Sequence, residues 1–215
     1  MVIDVDVVSD AICPWCFVGK RRLERAIAAV QGKHEIRVHW KPFELNPGMP
    51  KEGMGRREYR ERKFGSEQVV ADLDRRMMAV GKKEHIPFAL DKIEKTPNTF
   101  DAHRLIWWAG KSKAQDAVID GVFRAFFTQG RDIGDRAVLA DIAQEAGLDR
   151  VAADAFLESN EGVSEVRLEE TKARDLGVEA VPFFMIGGRF AVAGAHEPDS
   201  FLEAFEELER IATTP

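Results

Sequence analysis

The chain has 215 residues, 45% of them hydrophobic, and a formal net charge of -6 at pH 7. That length holds one large domain, or a domain with a substantial insertion, and the acidic balance argues against nucleic acid or an anionic membrane surface as a main partner. No apolar run approaches the ~20 residues of a bilayer-crossing helix, and Asp4, Asp6 and Asp10 interrupt the hydrophobic opening, so no membrane segment or signal peptide is expected and the expected compartment is the cytoplasm.

Val2 to Val8 is β-branched and reads as a strand. It leads to Cys13-Pro14-Trp15-Cys16, which holds the only two cysteines of the chain. In scattered cysteines this spacing would arise about once in a hundred such chains. The residues that follow read as a helix, and Pro14 suits its first turn. The pair therefore sits where a strand hands over to a helix N-terminus. Unpaired backbone N–H groups and the helix dipole there favour a thiolate at Cys13, on the exposed edge, with Cys16 one turn inside. Two thiols so placed suit disulfide exchange: Cys13 attacks, and Cys16 resolves the mixed disulfide.

After the turn, Val18, Leu23, Ala26, Ile27 and Val30 repeat at helical spacing, with Lys20, Arg21, Arg22 and Arg25 on the other side and Gly32 as the stop. Glu35 to Lys41 alternates with period two, a strand with Ile36, Val38 and Trp40 on one face. Strand, helix and strand at this length form a βαβ unit with parallel strands.

Pro42, Asn46, Pro47, Gly48 and Pro50 then mark a join, beyond which helices dominate for more than a hundred residues. Arg56 to Phe64 mixes both charge signs and reads as a solvated helix face. A helix from Ser66, with Val69, Val70, Leu73, Met77 and Val80 apolar, is expected to end at Gly81. Asn98 is placed to cap the next, whose buried stripe is Ala102, Leu105, Ile106 and Ala109. Phe123, Phe126 and Phe127 mark a helix ending at Gly130, and together with Trp107 and Trp108 they read as the insertion's own core. Asp135 and Asp149 cap two more. The helix from about Gly162 to Leu176 leads to Val181-Pro182-Phe183-Phe184-Met185-Ile186, a strand joined through Gly187-Gly188 to its hairpin partner. A final amphipathic helix starts near Pro198. The expected class is therefore α/β: residues 1–45 and 160–215 supply βαβ and ββα units that close into one sheet, and residues 46–159 form an inserted helical subdomain.

Zinc is the main rival for the cysteines, since His34 and His39 complete a Cys-x2-Cys-x17-His-x4-His spacing. Finger histidines usually come from a helix, whereas His39 lies on a predicted strand, so no metal is expected.

Cys-Pro-x-Cys at a strand-to-helix turn, a long helical insertion, and Gly177-Val178 shortly before Val181-Pro182-Phe183-Phe184 resemble the DsbA-like branch of the thioredoxin superfamily. Phe17, Gly19 and Lys20 after the cysteines, Leu45-Asn46-Pro47, Asn98-Thr99, Ala102-His103-Arg104-Leu105 and Gly194-Ala195 are most similar to its cytoplasmic FrnE-like group. The resemblance implies a thioredoxin fold with a helical insertion, thiol-disulfide oxidoreductase or isomerase activity on protein disulfides, and a cis Val181-Pro182 bond. It further implies that the backbone of Val181 beside Pro182 pairs with a substrate strand, and that Asn98, Thr99 and His103 line the cleft above the cysteines. Pro14 and Trp15 tune the pair. Trp15 stands where strongly oxidising members carry a His, so a less oxidising pair is expected. No metal or organic cofactor is implied; electrons come from glutathione or another dithiol. Two other classes share the pattern in part: a glutathione-dependent transferase or isomerase of the kappa or hydroxychromene-carboxylate type, which would have no use for Cys16, and a non-catalytic holdase that binds through the insertion's aromatics. His196, after Gly194-Ala195, either approaches the site or simply precedes the last helix.

Overall fold

The computed structural model describes residues 1–213; residues 214 and 215, the end of the range expected for the second half of the sheet domain, lie outside the described residues. Strand β1 (Val2–Ser9), helix α1 (Pro14–Ala29) and strand β2 (Glu35–Pro42) form the expected βαβ unit, with β1 and β2 parallel and Val2 opposite Glu35. At the other end come α8 (Val163–Asp175), β5 (Phe183–Ile186), β6 (Phe190–Ala193) and α9, described over Pro198–Thr213. The sheet order is β2-β1-β5-β6, with β5 antiparallel to β1 and to β6. Gly187 and Gly188, at φ 57° and 66°, make the tight turn between β5 and β6 that only residues at ease with positive φ form cheaply.

Alternation along β1 sorts the two faces. Ile3, Val5 and Val7 are buried, and with Phe184 and Ile186 of β5 they meet α1 and α9, where Phe184 and Phe201 contact edge to face at 4.8 Å. Val8 points the other way, packing with Phe43, Ala173 and Val178 beneath α8. The result is a sheet covered by helices on both sides.

Between β2 and α8 run α2 (Arg56–Phe64), α3 (Glu67–Lys83), α4 (Phe100–Gly110), α5 (Gln115–Gln129), α6 (Arg136–Glu145) and α7 (Arg150–Glu158). One short ladder that the pattern does not announce, β3 (Met54–Gly55) against β4 (Lys95–Thr96), ties the start of this segment to its middle. Phe123, Phe126 and Phe127 are buried, but they are not a core of the insertion alone. Phe17 of α1 stacks on Phe123 at 5.2 Å and meets Phe88 edge to face at 6.0 Å, while Trp40 of β2 reaches Phe123 at 6.3 Å. Sheet and insertion thus share one hydrophobic core.

Several local expectations are corrected. α1 stops at Ala29, and Gly32 belongs to the turn beyond. Its cationic side is not a solvent face: Lys20 and Arg22 are buried, because the insertion packs there and supplies carboxylates. Lys20 bonds Glu24 and Asp116 at 2.5 and 2.8 Å. Helix α3 runs through Gly81 to Lys83. Gly81 is a point of close approach rather than a stop, since a Cβ there would run into Phe88 and lie 2.8 Å from the Ile86 carbonyl. The α2 charges are partly used, with Arg60 bonding Asp74 at 2.6 Å.

Candidate active site

The site forms where β1 ends and α1 begins. Cys13 is the N-cap residue of α1 and Pro14 takes the first helical position, where its missing N–H costs nothing. The Cys13 amide donates to the Asp10 carbonyl at 3.1 Å and the Cys16 amide to the Cys13 carbonyl at 3.0 Å, which fixes the turn. Both cysteines are free thiols. Cys13 is only 6% exposed, so the edge expected to be open is largely covered, and Trp15 between the cysteines is the exposed side chain, at 43%.

The covering group is the loop before β5. The Val181-Pro182 bond is cis, and the Cys13 Sγ lies 3.5 Å from the Val181 carbonyl oxygen, to which it donates. Gly19, one turn after Cys16, lets α1 approach this loop: a Cβ there would lie 3.1 Å from Pro182 Cγ and 3.0 Å from Phe184 Cζ. Arg22 secures the loop from the side, donating to the Ala195 carbonyl at 2.6 Å, while the Gly194 amide donates to the Pro182 carbonyl at 2.8 Å. Arg22 is itself held by Glu84 at 2.7 Å and Glu197 at 2.8 Å. The Glu84 carboxyl feels burial, which alone would raise its pKa, but hydrogen bonds and charge from Arg25 and Arg22 hold it below the ordinary carboxylate range.

Cys16 is fully buried. Burial pushes its thiol well above the ordinary value, and a hydrogen bond and charge from Cys13 push it further, while the Ser9 hydroxyl and the Asp10 backbone pull toward the thiolate. The inner thiol therefore holds its proton strongly.

Beneath the cysteines lies a polar cluster. The Asp10 carboxylate is fully buried and accepts from the Leu45 amide at 2.7 Å and the Ile12 amide at 3.4 Å. His103 Nε2 meets Oδ1, the oxygen that the Ile12 amide also reaches, at 3.3 Å. Burial opposes an imidazolium at His103, yet the hydrogen bond and charge of Asp10, followed by the charges of Glu170 and Glu44, outweigh it and raise its pKa. Glu44 is pushed up by burial and by Glu170, against the pull of Arg167 at 2.5 Å.

The residues expected to line the cleft above the cysteines divide accordingly. Thr99 and His103 are buried, at 4% and 3% exposure, which corrects the expectation that they face substrate. Asn98 is half-buried; its side chain donates to the Met49 carbonyl at 2.7 Å and accepts from the Phe100 amide at 2.9 Å, so it braces the start of α4 although Thr99 holds the cap position. Arg104 gathers the carbonyls of Phe156, Leu157, Ser159 and Glu161 at the end of α7. His196 is exposed and bonded to the Ala193 carbonyl at 3.0 Å. His39 bonds Asp4 at 3.0 Å and His34 precedes β2, at the far end of the β1–β2 pair from the cysteines, so the zinc set does not converge. Among the described residues no helix is long and apolar enough to cross a membrane, and no cluster of three His, Cys, Asp or Glu side chains could hold a metal.

Sequence reasoning missed Ser9, Glu44 and Glu170, and used Asp10 only as an interruption. The available signal was an acidic residue inside an apolar run, as in Pro42-Phe43-Glu44-Leu45, which stays charged or protonated in a core only with partners.

Comparison with known proteins places this geometry. The chain is 29% identical over 212 residues to the uncharacterised protein YwbO of Bacillus subtilis, covering 98% of this chain and 99% of that one. It resembles the crystal structure of a probable DsbA oxidoreductase from Streptomyces coelicolor with a TM-score of 0.89 and 32% identity, over 99% of this chain and 92% of that one. The cytosolic disulfide reductase DsbM from Pseudomonas aeruginosa, solved with GSH, shares the fold at a TM-score of 0.66 and 18% identity, over 96% and 99% of the two chains. A family model for the DSBA-like thioredoxin domain matches residues 4–206, and the chain belongs to that family of thiol oxidoreductases.

Proposed function

We propose that the protein is a thiol-disulfide oxidoreductase or isomerase acting on protein disulfides, of the FrnE-like kind, with Cys13 as nucleophile and Cys16 as resolving thiol. The placement of both thiols in the first turn of α1, with the Cys16 amide bonded to the Cys13 carbonyl at 3.0 Å, carries this reading, because a mixed disulfide on Cys13 would have the resolving thiol within the same turn. The Cys13 amide and the first turn of α1 position the outer sulfur, and Pro14 and Trp15 restrict what else can approach it. Val181 and Pro182 form the docking loop. In the resting protein the Val181 carbonyl is turned to Cys13; an incoming extended peptide would add its backbone along this loop and bring its sulfur to the same place. Asn98 is held by its two bonds as a brace between Met49 and the start of α4.

No metal or organic cofactor is required by this chemistry. Glutathione or another dithiol would return the pair to its working state, a proposal in keeping with the GSH held by the DsbM structure. The cytoplasm is the compartment we propose, because a single Cys-x-x-Cys without framework disulfides suits reducing conditions. The sheet segments 1–45 and 160–215 would then be the catalytic part and 46–159 its support. A glutathione transferase or isomerase working from one thiol is disfavoured, since it gives Cys16 no task.

The deciding experiment is equilibration of the protein in glutathione buffers with thiol trapping. A Cys13–Cys16 disulfide with a potential between about -270 and -120 mV is the expected outcome. Failure to form one at any glutathione ratio would overturn the proposal.

A further inference from the structure

Helix α1 carries Cys16, Gly19 and Arg22 at a spacing of three, so these residues lie one above another on one face. Two of them meet the docking loop or the chain behind it. At Gly19 the contact is bare, since a Cβ there would press on Pro182 and Phe184. One turn on, Arg22 makes the contact polar. Its side chain is buried, and each of its three guanidinium nitrogens has a partner. Nη1 donates to the Ala195 carbonyl at 2.6 Å, Nε donates to Glu84 at 2.8 Å, and Nη2 meets Glu84 at 2.7 Å and Glu197 at 2.8 Å. Ala195 and Glu197 belong to the short stretch between β6 and α9 that also holds Gly194, whose amide bonds the Pro182 carbonyl.

A buried guanidinium needs carboxylates, and Glu84 and Glu197 supply them. The bond to Ala195 is additional, and it commits one arm of the fork to backbone. Arg22 thereby ties the stretch behind the loop to α1 at two points, and the Gly194 amide passes that tie to Pro182. Glu84, at the C-cap of α3, fixes the guanidinium from the side of the insertion and is shared with Arg25 at 2.5 Å. The neighbouring Arg21 takes no part, being turned to Glu24 and Asp120. Arg22 follows Cys13 by nine residues, about 13 Å along the helix axis, so it acts on the loop and not on the reacting sulfurs.

We infer that Arg22 is a positioning residue for the substrate: by holding the Ala195 carbonyl and Glu197 it keeps the loop of Val181 and Pro182 in register with Cys13, and so favours disulfides carried on an extended peptide over small disulfides that have no backbone to pair. The inference rests on the reading above, in which this loop accepts an extended strand. A peptide gains from the loop only where the backbone it pairs with and the sulfur it must reach are held at a fixed offset. Here that offset is the 3.5 Å between the Val181 carbonyl oxygen and the Cys13 Sγ. A loop free to drift leaves the thiol as reactive as before, but each binding event must then order the loop as well as the peptide. Disulfides without a peptide backbone do not use the loop and do not bear that cost.

The test uses the reduced full chain in stopped flow with two chromogenic disulfides that share a leaving group: DTNB, and an extended peptide whose central cysteine carries the same thionitrobenzoate. Attack by Cys13 releases the coloured thiolate from either. In Arg22→Lys the charge facing Glu84 is kept, but a point-like ammonium cannot span the Ala195 carbonyl and both carboxylates. The ratio of the peptide rate constant to the DTNB rate constant is expected to fall about tenfold, through a higher half-saturating peptide concentration with the limiting rate held. An unchanged ratio, or equal losses with both disulfides, would overturn the inference, because a merely structural role lowers the two together. If Arg22→Lys does not fold, Glu197→Gln carries the test: it alters an exposed side chain and removes one of the two ties, and about a threefold rise in the half-saturating peptide concentration is expected. No rise there would overturn the inference equally. Should the unaltered protein fail to prefer the peptide over DTNB, the docking reading itself would fall, before any variant is compared.

Discussion

The Sγ of Cys13 and the carbonyl oxygen of Val181 face each other at 3.5 Å, although 168 residues separate them in the chain. This contact joins the two ends of the fold at the site and makes the outer sulfur meet whatever pairs with the loop. The inner sulfur, by contrast, is sealed beneath it. Substitution should separate the two roles. Cys16→Ser is expected to accumulate a mixed disulfide on Cys13 with a model disulfide peptide, seen by mass spectrometry, whereas Cys13→Ser accumulates none. Both should lose steady-state disulfide exchange by at least about a hundredfold. A Cys13→Ser protein that still forms the adduct would mean that Cys16 is reached directly, against its burial.

Arg22 links the insertion to the docking loop through Glu84 on one side and the Ala195 carbonyl on the other. Glu84→Ala leaves two guanidinium groups facing each other, one of them buried, without their shared carboxylate. Breaking a buried pair from one side costs about 3 kcal/mol, and urea unfolding should show a loss of that order. Because Arg25 and Arg22 overcome burial and hold the Glu84 carboxyl low, its contribution is present above the unfolded carboxyl pKa and lost as pH falls through the folded one. The difference between the two proteins should therefore shrink on acidification. A constant difference down to about pH 3 would show that Glu84 acts through packing alone.

Gly81→Ala tests the close approach of α3 to the segment that follows it. Alanine favours a helix interior by about 1 kcal/mol over glycine. Here its methyl would collide with the buried Phe88 ring and with the Ile86 carbonyl, backbone that cannot yield cheaply. Phe88 is one of the rings around Phe17, so the strain would reach α1. A net loss of about 2 kcal/mol is expected in urea unfolding. A gain would mean that the α3 contact relaxes freely.

The reach of the sequence can be judged element by element. Strands β1 and β2 and the hairpin of β5 and β6 were legible because alternation and the glycine pair leave few other choices, and the helix caps at Asp135 and Asp149 do accept the amides expected of them. Cys13 and Cys16 stood out by spacing, and the loop at Val181 and Pro182 by family resemblance. What did not show was which side of a helix meets another helix. Lys20 and Arg22 look like solvent residues until carboxylates from Asp116 and Glu84 arrive from 96 and 62 positions away. Gly81 looks like a stop until Phe88 is seen against it. His103 looks like a surface residue because local pattern carries no trace of Asp10, its partner across 93 positions. Long-range electrostatic pairing is a property of the assembled layers, and a local window cannot contain it.

The same pair sets the last prediction. Burial alone would favour neutral His103, but Asp10, Glu170 and Glu44 reverse the balance and place its folded pKa above the ordinary imidazole value. A group whose folded pKa is raised contributes stability that is complete below the unfolded pKa and is lost as pH rises through the folded one. From the ordinary imidazole value of about 6.5 upward, through the raised folded pKa, the unaltered protein should therefore lose stability relative to His103→Gln, in which no imidazolium is available to Asp10. Glu44, also raised, by burial and by Glu170, loses its share in the same direction at lower pH, so the window above the carboxyl range isolates the imidazole. Urea midpoints of both proteins across this range are the measurement. A parallel pair of curves would mean that His103 is neutral in the fold, and the field of three carboxyl groups around it would then have to be quenched by Arg167 and by a proton on Glu44.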